Sequence, residues 1–184
     1  MNLRDIINMM LPPIDGRNGH VTGRSGDFGA GRAEGRVKPP SSDPHIGVDM
    51  NYLGGQTGIN LQHPLVHSPV SGVVTRAGGG KTNTIAIRDY NGNSHEILHT
   101  QSQIVKEGQK VFAGDLIGKM GNVGTKDQHA HYPIYGPDDP RRQNPINPHV
   151  FWNHPFFRTR SVLFQDRLVS YRSSPQYLIL PIIT

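Results

Sequence analysis

Apolar and polar residues divide this chain into a short helical start and a long run of short strands. A brief apolar run predicts a helix over Leu3–Met10, stopped by Pro12-Pro13. From about Ser41 to Trp152 the pattern shortens. Val70–Thr75, Thr84–Arg88 and Ser94–His99 read as strands, and Asn91-Gly92 between the last two is a hairpin signal. Glycines punctuate Val105–Gly121 in the way they divide short strands of small barrels and sandwiches. Beyond Pro155, Val162–Phe164 and Tyr177–Leu180 are strand-like, with Pro181 marking the latter as an edge. The expected division is an arm over residues 1–40, a core over 41–152 and an extension over 153–184 packed on that core. The arm is rich in Gly and Arg from Asp15 to Gly35, and reads as disordered in part or as irregular loop wrapped around the core.

Composition agrees with a mostly β fold. Gly 22 and Pro 15 with 34% hydrophobic residues make a turn-rich chain with few long helices. The expectation is a compact antiparallel sheet or barrel-like core with long loops, and 184 residues suffice for one such domain. The chain has no cysteine, so disulfides and thiolate metal sites are excluded. A net charge of +5 favours an anionic partner. Nucleic acid fits poorly, because the basic residues are spread out rather than interleaved with stacking aromatics. The acidic polymers of a bacterial envelope would be attracted equally well, and a solvated basic surface with no partner is the plain alternative. No stretch approaches the ~18 apolar residues of a membrane span. Met1–Leu11 lacks a usable signal-peptide pattern, so action outside the cytoplasm would require another delivery route or a missing segment.

The chemistry concentrates in two segments. His129-Ala130-His131 places two imidazoles on one side of an extended chain, because strand side chains alternate. His45 and Asp49 share a face whether their segment is extended or helical, and Pro44 and Gly47 favour the extended form. Brought together, the segments offer two imidazoles and a carboxylate to a metal, with one imidazole to spare. Three protein ligands suit a catalytic zinc, whereas a structural one fills its fourth position with protein. His63 and His67 form a rival pair, flanked by prolines and read as loop surface. His95 shares a face with His99 and reads as surface, with cleft lining as the alternative. His20, His149 and His154 carry no signal. Ala77–Thr82 is Gly-rich but lacks the spacing of a phosphate loop.

Three ordered blocks resemble the lysostaphin-type (LytM-domain) zinc metallopeptidases. The first is His45-Ile46-Gly47-Val48-Asp49. The second is Glu96-Ile97-Leu98-His99 with the Gly-punctuated run from Val105 to Gly118. The third is Gly121-Asn122-Val123-Gly124 leading into His129-Ala130-His131. Ser68–Val74 also resembles the family's small-residue strand, and the likeness spans roughly residues 41–136. It implies a LytM-type core with His45, Asp49 and His131 as Zn2+ ligands. His99 and His129 would flank the reacting water, His129 as general base and His99 as oxyanion donor, with the two roles open to exchange. The implied activity is endopeptidase cleavage of peptide crosslinks in bacterial peptidoglycan, acting in the periplasm or outside the cell. With no signal peptide visible, delivery by a secretion system or a phage is expected, which makes an antibacterial toxin or lysin and a cognate immunity protein part of this reading. A non-catalytic LytM-like module that binds wall or regulates other hydrolases is the alternative. Pro133 departs from the family's strand after its last histidines and predicts an edge or an early break. Asn51–Val66 is longer and more Gly-rich than the usual link, which leaves the groove's shape open.

Overall fold

The computed structural model describes residues 1–31, 43–54 and 61–155. The strands expected at Val162–Phe164 and Tyr177–Leu180 lie outside the described residues, as does nearly all of the C-terminal extension. Helix α1 spans Leu3–Met10, as predicted. Asn2 accepts the Asp5 N–H on its side chain while the Asp5 carboxylate accepts the Asn2 N–H, which satisfies two helix-end donors reciprocally. Leu3, Ile6, Ile7 and Met10 are buried on one face, each contributing roughly 1.5–3 kcal/mol. The Leu11 N–H closes on the Ile7 carbonyl, and the prolines that follow offer no N–H for a further turn.

Residues 15–31 are more regular than their composition suggests. They contain strand β1 (Gly19–Val21) and a single 3-10 turn at Arg24–Gly26. Gly19 lies so close to α1 that a Cβ would meet the Leu11 Cβ at 2.8 Å. A three-residue strand is too short to leave a periodic trace in sequence.

Three antiparallel sheets make up the rest. In the first, β1 pairs with β2 (Val48–Tyr52), which pairs with β10 (Ala130–Tyr132). The largest has six strands in the order β12-β11-β6-β5-β4-β8. Its members are β4 (Gly72–Ala77), β5 (Ile85–Asp89), β6 (Ser94–Ile97), β8 (Lys110–Val111), β11 (Ile134–Tyr135) and β12 (Pro145–Ile146). In the third, β9 (Leu116–Met120) lies between β3 (Leu65–His67) and β7 (Thr100–Gln103). Helix α2 (Pro148–Asn153) follows, capped by Asn147. None of the sheets closes on itself among the described residues, so the barrel-like expectation gives way to three open sheets. Their strands are short, and bulges in β3, β4 and β7 redirect the chain.

Two local sequence signals shape the sheets beside the ligand-bearing segments. The hairpin between β5 and β6 turns through Tyr90-Asn91-Gly92, with Gly92 at φ 88° and the Asp89 N–H donated to the Asn93 carbonyl. It therefore uses a three-residue loop rather than the two-residue turn that Asn-Gly most often makes. Pro133 separates β10 from β11, the early break its missing N–H predicts. One residue therefore switches sheets: His131 pairs with Asp49 in the first, and Ile134 pairs with His95 in the second.

Candidate metal centre

The extended reading of the first ligand segment holds. Val48–Tyr52 is strand, and His45 sits just before it, with a bend at Gly47 between them. Because β2 and β10 are antiparallel with His131 opposite Asp49, segments 82 residues apart meet side by side. Nδ1 of His131 lies 2.8 Å from Oδ1 of Asp49 and 3.1 Å from Nε2 of His45, and the latter is 3.2 Å from the same carboxylate oxygen. Among the described residues, this is the one cluster of three or more His, Asp or Glu side chains whose donor atoms converge closely enough for a metal ion.

The donors fit zinc in geometry and in chemistry. Ligand atoms at ~2.0–2.1 Å from a tetrahedral zinc stand about 3.3 Å from one another, close to the observed separations. The Nδ1–H of His45 is donated to the Asp27 carbonyl at 2.9 Å. This fixes the tautomer so that Nε2 presents its lone pair to the cluster, a common support for metal-binding histidines. Burial alone would raise the Asp49 carboxyl, but the imidazoles of His131 and His45 against its oxygen, with His129 close by, hold it well below the usual carboxylate range. Burial pushes His131 down, against the pull of Asp49. An ionised carboxylate beside a neutral imidazole is the protonation state that metal binding needs.

His129 and His99 stand next to this cluster without joining it. The Nδ1–H of His129 is donated to the Asp127 carbonyl at 2.8 Å, and its Nε2 lies 3.4 Å from Oδ1 of Asp49. His99 donates Nδ1–H to the Val123 carbonyl at 2.7 Å, and its ring centroid is 4.7 Å from that of His129. Each ring therefore keeps Nε2 as its remaining acceptor in the neutral form. His99 occupies the left-handed region at φ 65°, held there by its N–H donated to the Thr82 carbonyl at 2.7 Å.

Strand β6 accordingly ends at Ile97, and His95 does not share a face with His99. His95 is fully buried, 2.7 Å from the Tyr132 hydroxyl and 3.3 Å from Asp89, and packs against Phe151 and Trp152. Both earlier readings of it, surface and cleft, are corrected. His63 lies outside the cluster, with Nδ1 at the Met120 carbonyl, and neither it nor His67 belongs to the metal-binding group. Gly78–Thr82 is a loop, as expected, while Ala77 closes β4.

Burial pushes the His99 pKa down from 6.5 to about 4, with His129 and His131 adding to the shift and the Val123 hydrogen bond opposing it. An unfolded His99 takes up its proton near pH 6.5, so between 6.5 and 4 the unfolded chain binds more protons and stability falls as the pH drops. For this partly exposed ring the loss is about 1–2 kcal/mol after solvent screening. His99→Asn suits the left-handed backbone and should remove that share. Urea midpoints of metal-free protein at pH 7 and pH 4.5 measure it, and equal pH losses in parent and variant would refute it.

Gly47 holds the two strands at their working separation. A Cβ there would sit 2.8 Å from the Tyr132 carbonyl carbon and oxygen and 2.9 Å from the Pro133 nitrogen, all backbone atoms. Gly47→Ala should therefore cost about 1–3 kcal/mol and weaken zinc binding, because the strain falls between His45, Asp49 and His131. Thermal unfolding and a zinc-competition titration report the two effects. A variant as stable and as avid as the parent would show that the strands move apart freely.

The cluster lies in an open cleft of about 820 Å³. Its lining includes Lys81, Thr82, His99, Gly124, Thr125 and Asp127, together with His20, Thr22 and Ser25. Those three residues carry no sequence signal. They arrive because β1 extends the ligand-bearing sheet, with His20 opposite Asn51 and the Thr22 N–H donated to the Asp49 carbonyl. Gln128 is a second support without a signal. Its amide bonds the Leu61 carbonyl and the His63 N–H, while its own carbonyl accepts from Asn51, anchoring the segment that carries His129 and His131.

Similar folds are known. The catalytic domain of the antimicrobial peptidase lysostaphin from Staphylococcus simulans superposes with a TM-score of 0.56 at 19% identity, covering 84% of this chain and all of that one. Against a second structure of lysostaphin the TM-score is 0.50 at 20% identity, and the match covers 76% of this chain but only 51% of the other. A zinc-containing peptidase from Vibrio cholerae aligns with a TM-score of 0.53 at 23% identity, over 76% of this chain and 38% of that one. This chain thus spans about half of that longer lysostaphin and less of the Vibrio peptidase, and likeness at these identities establishes the fold. The sequence profile of Peptidase family M23 matches residues 43–148, from just before His45 to the start of α2. A match over more than half of the chain, enclosing the whole His–Asp–His cluster, establishes that this chain belongs to peptidase family M23.

Proposed function

We propose that this chain is a zinc-dependent endopeptidase that hydrolyses peptide crosslinks of bacterial peptidoglycan, acting at the wall outside the cytoplasm. The observation that carries this reading is the convergence of one carboxylate oxygen and two imidazole nitrogens, within about 3 Å of each other, at the floor of an open cleft. Membership of a peptidase family and a fold shared with an antimicrobial peptidase and a zinc-containing peptidase support it.

His45 through Nε2, Asp49 through Oδ1 and His131 through Nδ1 would hold the ion. The chemistry a zinc ion supplies at such a site is Lewis acidity toward a peptide carbonyl and a lowered pKa for water. The chain's own residues then divide the remaining work. Nε2 of His129, beside the Asp49 carboxylate, is positioned to accept a proton from the attacking water and return it to the leaving amine. His99, resisting protonation until about pH 4, stays neutral at wall pH. With its Nδ1–H committed to Val123, it serves as a second acceptor and orients the water. It acts as an oxyanion donor only in the other tautomer, so the donor role first expected for His99 requires that bond to break. The open cleft of about 820 Å³ has room for an extended peptide.

Exhaustive chelation should abolish solubilisation of purified sacculi, and stoichiometric zinc should restore it. Undiminished digestion by metal-free protein would refute the reading.

A further inference from the structure

The catalytic cleft does not end at its own wall. His20 also lines a second cavity of about 860 Å³, between α1, the loop before β1 and α2. The two spaces therefore adjoin along β1. The second is lined by Arg4 and Arg17, the amides of Asn2, Asn18 and Asn153, and the apolar Leu53, which is 74% exposed. It has no acidic residue in its lining, whereas the catalytic cleft carries Asp49 and Asp127. Neither arginine forms an ion pair among the described residues. Unpaired guanidiniums beside amides and an apolar side chain match a peptide that alternates carboxylates, amide bonds and methyl groups.

We propose that this cavity is a second binding site on the same substrate strand, holding a carboxylate-bearing peptide that runs from the metal centre over His20 to Arg4 and Arg17. The proposal rests on the endopeptidase reading for the identity of the strand. It assigns a use to Arg4 and Arg17, and to α1 and β1, which lie outside the stretch matched by the family profile. Placing the anchoring charges away from the reacting bond lets them add affinity without disturbing the charge at the metal centre. Such charge-assisted contacts at an open rim weaken steeply with salt.

The test is equilibrium binding to metal-free full-length protein, which leaves the ligand intact. The probe is a soluble crosslinked dimer of wall stem peptides with free carboxylates, compared with the same dimer fully amidated. The parent should bind the free-acid form at least about tenfold more tightly at low salt, and 0.5 M NaCl should erase the difference. Arg4→Gln/Arg17→Gln should bind the free-acid dimer about as weakly as the parent binds the amidated one. Equal binding of both dimers by the parent, or equal binding of the free-acid dimer by parent and variant, overturns the proposal. Because the amidated ligand tests it on the parent alone, a poorly folded variant does not shield it. Zinc-loaded parent incubated with the same dimer tests the endopeptidase reading separately. Carboxylate-dependent binding without cleavage would sink the hydrolase and uphold the groove, while cleavage with carboxylate-independent binding would sink the groove alone.

Discussion

Asp49→Asn is expected to lower zinc affinity by roughly a hundredfold or more and to bring sacculus digestion below detection. The substitution nearly preserves shape and keeps a carbonyl oxygen that can accept from His131, so the fold should survive. What it removes is negative charge. Asp49 is held ionised far below the usual carboxylate range by its two imidazole neighbours, so it contributes a full charge to a divalent ion at any pH at which the enzyme would work. A neutral amide oxygen is a poor zinc ligand beside carboxylate and imidazole. His131→Ala should fail equally, since it removes the donor closest to Asp49, at 2.8 Å. Zinc content after dialysis, with circular dichroism to confirm folding, decides the matter. Stoichiometric zinc in folded Asp49→Asn would mean that the carboxylate is not a ligand.

His129→Ala and His99→Ala should show the opposite split. Each is expected to retain zinc within a few-fold of the parent, because neither ring belongs to the converging donor group, and each should lose about 10²–10⁴ in kcat. The double variant should lose far less than the product of the two, because both rings serve one water and one proton path. Single-turnover rates with zinc stoichiometry measured in parallel separate the effects. Loss of zinc from His129→Ala would make that residue a ligand. An undiminished biological effect of both variants would favour the wall-binding or regulatory module over the enzyme.

These contrasts trace back to features of the chain that are unevenly legible. His45, Asp49, His129 and His131 stand out in sequence because zinc accepts few ligand types and strand geometry permits few spacings, whereas His99 and the division of roles follow only from the family resemblance. His129 and His131 alternate with Ala130, and Gly47 and Pro44 argue against a helix around His45 and Asp49. Asp27 was invisible, because it supports His45 through a backbone carbonyl that any residue carries. His20, Thr22 and Ser25 were equally silent, since the strand that carries His20 has only three residues and the other two follow it in a turn-rich stretch. His95 was misread because period-two extrapolation assumes that a strand continues, and the left-handed turn at His99 ends it.

By itself the sequence determined the helix at Leu3–Met10, the strand-rich core, the break at Pro133 and the two segments that offer metal donors, with the resemblance singling out His45, Asp49 and His131 among them. All of these depend on local backbone preference or on the coordination chemistry of single side chains. Only the tertiary structure decided that the sheets stay open among the described residues, that His95 is core while His20 is cleft, and that a second cavity lined by Arg4 and Arg17 adjoins the cleft at His20. Those outcomes depend on which strand edges pair across long stretches of chain. Such pairing is governed by burial and register summed over the whole domain, and no short window of residues contains that sum.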